Sequence, residues 1–192
     1  MKLHVDRLNA SPQRYEFEAG SAWWRAAMPA DRELPRELDE PLRIGLTAYR
    51  LGDDLILDGQ VVGSVPLECA RCLARYGQTL REPFRLVVEP AGDRVPADPE
   101  GAEALSRYGM CLAEELETGW YRGSEIDLSG LVHEVICLAL PVKPLCREEC
   151  AGLCPRCGAD RNAGACGCPE PAGESPFAVL KALRDGPGGG RS

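Results

Sequence analysis

The stretch "LRIGLTAYRLGDDLILDGQVVGSVPLEC", residues 42–69, decides the fold. Apolar and polar residues alternate through it, the period of a strand with one face on a core. Gly52-Asp53 reads as a hairpin turn, and Gly63-Ser64 carries a second turn signal. Downstream, "QTLREPFRLVVEP" (78–90) continues the β pattern, with Pro83 suited to an edge strand or bulge. Upstream, "KLHVDRL" (2–8) predicts a first strand, "SAWWRAAM" (21–28) a short helix and "PADRELPRELDEP" (29–41) a polar connector. Trp23 and Trp24 are expected to pack that short helix rather than to greet a partner.

Beyond the β region the chain changes character. Residues 91–107 are rich in Pro, Gly and acid, and read as a loop. "EELETGWYRGSEIDL" (114–128) predicts one more strand and a turn at Arg122-Gly123. In "IDLSGLVHEVICLALP" (126–141), Leu128, Leu131, Val132, Val135, Ile136 and Ala139 recur at helical spacing, and Pro141 ends the run. The expected class is α+β: an antiparallel β meander or partial barrel, one or two helices, and a loop-rich C-terminal cysteine module holding zinc. The expected divisions are a body at 1–142 with its acidic loop, a metal module at 143–170, a short helix at 171–185 packing on the body, and a disordered tail at 186–192. That short helix would start near Ser175-Pro176 and present Phe177, Leu180 and Leu183.

Composition bounds the function. The net charge of the 192 residues is −8, which argues against broad, sequence-independent nucleic-acid binding but leaves room for a local basic patch. The acid is concentrated mid-chain: residues 91–142 hold three Arg against ten Asp or Glu. The N-terminal sequence has no h-region, and no window approaches the ~18–20 apolar residues of a membrane span, so a cytoplasmic setting is expected. No phosphate-binding Gly loop and no H-E-x-x-H occurs, and neither His4 nor His133 is read as having a Cys or His at ligand spacing; no enzyme and no nucleotide is expected.

In a reducing compartment, clustered cysteines point to metal rather than disulfides. "CREECAGLCPRCGADRNAGACGC" (146–168) holds Cys146, Cys150, Cys154, Cys157, Cys166 and Cys168. The strongest element is "CPRCG": two thiols two residues apart reach one ion, and the following Gly lets the backbone turn beneath the sulfurs. Tetrahedral zinc needs four ligands. Either Cys154 and Cys157 pair with Cys166 and Cys168, or one of Cys146 and Cys150 joins the knuckle with one of Cys166 and Cys168. A second C-x-x-C, Cys69 and Cys72 in "LECARCL", partly echoes the first and could form a second site with Cys146 and Cys150, giving one or two zinc ions. Packed thiols or a redox pair are the other readings of Cys69 and Cys72, whereas Cys111 and Cys137 read as small buried hydrophobes.

"LECARCL" after a β meander, "EIDLSGLVHEVICLALP" leading into "LCREECAGLCPRCGADRNAGACGC", and the closing "SPFAVLKAL" (175–183) together resemble the YceD-like family, named for large ribosomal RNA subunit accumulation. The resemblance covers roughly residues 40–183. It implies a non-enzymatic cytoplasmic factor for accumulation of large-subunit (23S) rRNA. Its partner would be a precursor of the large ribosomal subunit, through rRNA or ribosomal protein, with a small zinc-ribbon protein of that subunit among the candidates. The alternatives are a zinc-ribbon adaptor for another complex and a thiol redox protein using Cys69 and Cys72. Basic ribosomal proteins would be drawn to the acids of 91–142. Any RNA contact is expected at Lys143, Arg147, Arg156 and Arg161, for which ordinary surface charge is the competing reading.

Overall fold

A computed structural model describes residues 1–28, 34–113 and 118–169. The helix and tail expected at 171–192 lie outside the described residues, as does part of the 29–41 connector.

The described chain divides between Cys150 and Ala151. The first unit is α+β. Strands β1 (Lys2–His4), β2 (Gln13–Ala19), β3 (Leu42–Leu51), β4 (Asp54–Glu68) and β5 (Arg75–Pro90) precede β6 (Met110–Leu112), β7 (Thr118–Tyr121) and β8 (Glu125–Asp127). Helices are α1 (Ser21–Ala27), α2 (Pro99–Tyr108) and α3 (Ser129–Ala139). Six strands form one open sheet in the order β2-β3-β4-β5-β7-β6, and β1 pairs with β8 in a separate ribbon. The β2–β5 meander is antiparallel throughout, while β7 joins β5 in parallel at Val87–Pro90. The meander expected from residues 42–90 is therefore present, as an open sheet rather than a partial barrel.

Period-2 alternation puts Leu42, Ile44, Leu46 and Ala48 of β3 on one face with Leu55, Leu57, Val61 and Val65 of β4, all buried. Helix α3 covers this face. Its Leu131 joins the cluster around Leu57 and Leu86, and its Val132 and Ile136 join the cluster around Trp24, Ile44 and Val61. Trp24 is fully buried and its indole N–H donates to the Pro35 carbonyl at 2.7 Å, so its role is packing, as expected.

Three local expectations need correction. Gly63-Ser64 is not a turn: β4 runs straight through, pairing Gly63 with Leu80. A Cβ at Gly63 would stand 2.5 Å from Leu42 Cδ2, so this glycine permits a close approach, the other common meaning of Gly in a strand. Residues 91–107 are not all loop, because α2 begins at Pro99. The Asp98 side chain accepts from the Gly101 N–H, Pro99 fills the first turn, and Gly109 closes the helix in the left-handed region at φ 70°. The segment around Arg122-Gly123 holds two strands, β7 and β8, rather than one. Pro83 sits where β5 has a single partner strand, β4, among the described residues.

No helix among the described residues is long and apolar enough to cross a membrane.

Candidate metal centres

The eight clustered cysteines resolve into two tetrads, one in each unit. In the first, the sulfurs of Cys69, Cys72, Cys146 and Cys150 all lie within 4.8 Å of one another; in the second, those of Cys154, Cys157, Cys166 and Cys168 do. Of the two allocations open in the sequence, this is the one that pairs the knuckle with Cys166 and Cys168, and Cys146 and Cys150 complete the site of Cys69 and Cys72.

The first tetrad is built on a hairpin tip. β4 and β5 pair down to Glu68 and Arg75, and the six residues between form the turn. The Cys69 N–H donates to the Ala74 carbonyl at 2.9 Å, and the Leu73 N–H donates to the Cys69 carbonyl at 2.9 Å. Leu73 adopts φ 61°, the one positive φ among described non-glycine residues. The opposing thiols come from an irregular segment held on by the main chain: the Ala70 N–H donates to the Pro144 carbonyl at 2.8 Å. Sγ of Cys69 lies 3.7 Å from that of Cys150, and Sγ of Cys72 lies 3.7 Å from that of Cys146. A disulfide needs about 2.05 Å. Tetrahedral coordination at ~2.3 Å per Zn–S bond places sulfurs about 3.8 Å apart, so the spacing fits four ligands around one ion.

The second tetrad repeats the turn. Leu153 bridges Asp160 as Glu68 pairs with Arg75. The Cys154 N–H donates to the Ala159 carbonyl at 2.8 Å, the Gly158 N–H donates to the Cys154 carbonyl at 2.9 Å, and Gly158 takes φ 72° where Leu73 takes 61°. The partial echo between "CARC" and "CPRC" is thus one backbone motif used twice. Asp160 and Asn162 brace the loop: Asn162 donates from its main chain and its side-chain amide to the Asp160 carboxylate, and accepts from the Ala151 N–H at 2.8 Å.

The protonation of the thiols follows this geometry. Burial opposes ionisation of Cys69, yet the N–H groups of Cys146, Arg71 and Cys72 aim at its sulfur and bring it down to about 6. Burial and the neighbouring sulfurs of Cys72, Cys150 and Cys69 push Cys146 up to about 12. In the second tetrad, the N–H groups of Cys157 and Arg156 bring Cys154 down to about 6. Contacts with Cys157 and Cys166, followed by burial, push Cys168 up to about 12. Each cage has one thiol ready to ionise and another that resists adding negative charge. A divalent cation is what lets four thiolates share so small a space.

The sequence reading missed Arg71. Its guanidinium donates to the carbonyls of Glu148 at 3.2 Å and Cys150 at 2.9 Å, clamping the second pair of thiols onto the knuckle. No spacing rule could have assigned it, because its acceptors are backbone atoms of a distant segment. The other cations are divided between the units. Lys143 and Arg147 belong to the first unit, whereas Arg156 and Arg161 line one cavity of the second. Cys111 is buried beside Ala91 and Leu105. Cys137 is only half-buried, and its Sγ lies 3.4 Å from His133 Nε2 one helical turn away, a neighbour at i+4 that the reading of His133 had overlooked.

The family described as large ribosomal RNA subunit accumulation protein YceD matches residues 57–184. An uncharacterized protein of Mycobacterium tuberculosis is 31% identical over 141 residues, covering 66% of this chain and 61% of that protein. One of Mycobacterium leprae is 28% identical over 123 residues, covering 64% and 50%. The Arabidopsis thaliana protein named large ribosomal RNA subunit accumulation protein YCED homolog 1, chloroplastic, is 24% identical over 162 residues, covering 76% and 49%. The chain thus spans less than two thirds of the length of these relatives. No solved structure matches. The family match takes in both C-x-x-C knuckles, both completing cysteine pairs and helix α3, and the chain belongs to the YceD family.

Proposed function

We propose that this chain is a non-enzymatic cytoplasmic factor required for accumulation of the rRNA of the large ribosomal subunit, and that it carries two structural zinc ions. The observation that carries the reading is the family match over 57–184, which encloses all eight clustered cysteines. Membership implies the role in rRNA accumulation; the metal follows from the donor set. Four thiols per centre leave a tetrahedral ion no open position for a substrate, which supports a structural rather than a catalytic metal. All-sulfur donors favour zinc over hard cations. The partner is a precursor of the large subunit.

Against the redox alternative stands the company of Cys69 and Cys72. A dithiol that cycles to a disulfide needs its two sulfurs free to approach each other. Here each is one of four sulfurs within 4.8 Å of one another, and their 3.7 Å contacts run to Cys150 and Cys146, an arrangement that suits four ligands of one ion better than an isolated dithiol. The test is a deletion strain analysed by sucrose-gradient sedimentation and rRNA quantitation. Loss of large-subunit rRNA relative to small-subunit rRNA, with the protein migrating among immature large subunits, is expected. Unchanged rRNA ratios on deletion would refute the role. Metal analysis of the purified protein should find about two zinc ions per chain.

A further inference from the structure

The knuckle arginines differ in what they do. Arg71 and Arg156 occupy the same position of the repeated turn, the residue before its second cysteine. Arg71 is consumed internally by two carbonyls. Arg156 is exposed, and neither it nor Arg161 makes an ion pair with any described residue. Both line one open cavity of the second unit, which also takes in Cys154, Cys166 and Cys168 of the second tetrad. The nearest acid in sequence, Asp160, is occupied by Asn162 at 2.9 and 2.6 Å, while the Arg161 main chain is fixed by its N–H bond to the Gly152 carbonyl at 2.9 Å. Gly164, Ala165, Cys166 and Gly167 line it too, and a Cβ added at either glycine would meet nothing within 4 Å. The result is an open concavity beside the second tetrad, with two exposed guanidinium groups and a glycine-lined stretch that leaves room for a ligand.

We infer that this concavity is a docking surface for the phosphate backbone of RNA, held by Arg156 and Arg161. The inference rests on the biogenesis reading above, which supplies the RNA. A guanidinium fork matches phosphate bidentately. Among the described residues the cavity offers no aromatic platform for stacked bases and no large apolar anchor of the kind that seats a peptide, so it fits a regular polyanion approached through its backbone. Recognition there is independent of base identity. The acidic chain as a whole keeps such contact local.

Zinc-loaded full-length protein is titrated against a fluorescein-labelled single-stranded RNA of about 16 nucleotides at several salt concentrations. The pair Arg156→Gln and Arg161→Gln is expected to weaken binding at least about tenfold and to flatten the plot of log affinity against log salt by roughly 1.4, about 0.7 per lost phosphate contact on a single strand. Zinc content should stay at the wild-type value. Independently of any variant, RNA should protect Arg156 and Arg161 of the wild-type protein from phenylglyoxal. The inference falls if the wild type does not bind this RNA at low salt, if the double variant binds as the wild type does, or if RNA leaves both arginines reactive. It also falls if polyglutamate displaces the RNA at equal charge concentration, which would make the ligand an acidic protein. A deletion strain separates this from the parent reading. If deletion leaves rRNA ratios unchanged, the biogenesis role fails whatever the binding curves show. If deletion lowers them and the double variant restores them with unaltered RNA binding, only the arginine surface fails.

Discussion

Leu73 gives the sharpest check on the first knuckle. It sits in the left-handed region at φ 61°, where the second knuckle has Gly158. An L-residue there costs roughly 1–2 kcal/mol relative to its usual conformations. The side chain is 57% exposed. Comparing Leu73→Ala with Leu73→Gly removes the side-chain contribution, since neither variant keeps it. In an ordinary extended loop, glycine would be the less stable of the two by about 0.5–1 kcal/mol, through the freedom it gives the unfolded chain. At a genuine αL position the order reverses, and Leu73→Gly should exceed Leu73→Ala by about 0.5–1 kcal/mol. For a chain of this size that is a Tm higher by roughly 1–4 °C, measured by calorimetry on zinc-loaded protein. The matched substitution Gly158→Ala should lower stability or zinc affinity in the second centre. Finding Leu73→Ala as stable as Leu73→Gly would mean that residue 73 is not held left-handed, and the equivalence of the two turns would be wrong.

Other consequences concern metal and core. Cys69→Ser and Cys157→Ser should each lower zinc content from about two ions to about one, because the tetrads share no ligand; loss of both ions from either variant would show the centres to be coupled. Arg71→Met removes the clamp on the carbonyls of Glu148 and Cys150, so a chelator should extract one zinc about 10–100-fold more readily and leave the other unaffected. Truncating the fully buried Ile136 to Ala should destabilise the protein by about 2–5 kcal/mol in a denaturant titration, with little change in zinc content.

What the sequence disclosed depended on how local the physics was. Alternation over 42–62 and the helical spacing of Leu128 to Ala139 are short-range patterns that burial enforces, and both elements formed where expected. The errors came where one residue type serves two purposes. Gly63 looks like a turn residue because glycine usually is one; here it lets β4 lie against Leu42. The acidity and prolines of 91–107 concealed α2, although Asp98-Pro99 and Gly109 are its start and stop signals. Spacing alone left the division of the eight thiols open. The grouping seen in the structure comes from contacts absent from any local pattern, the Ala70 N–H to the Pro144 carbonyl and the Arg71 guanidinium to the carbonyls of Glu148 and Cys150, which bring Cys146 and Cys150 to the hairpin tip at Cys69–Ala74.

That hairpin explains why the first candidate metal centre belongs with the sheet. In the first unit the knuckle is the turn of the longest strand pair, so an ion there would fix the ends of β4 and β5 and hold residues 146–150 to them. Residues 144–150 are also held by the Ala70 bond to Pro144 and the two Arg71 bonds to Glu148 and Cys150. A structural ion would add to the energy that orders this segment. Among the described residues of the second unit, 151–169, there is no helix and one isolated β-bridge. The same turn thus serves two ends. On the hairpin its arginine is spent on holding the protein to itself, and in the second unit the equivalent arginine is left facing outward. The ligand frame is used twice, and the fates of Arg71, bound to two carbonyls, and Arg156, exposed, are the measurable difference between the copies.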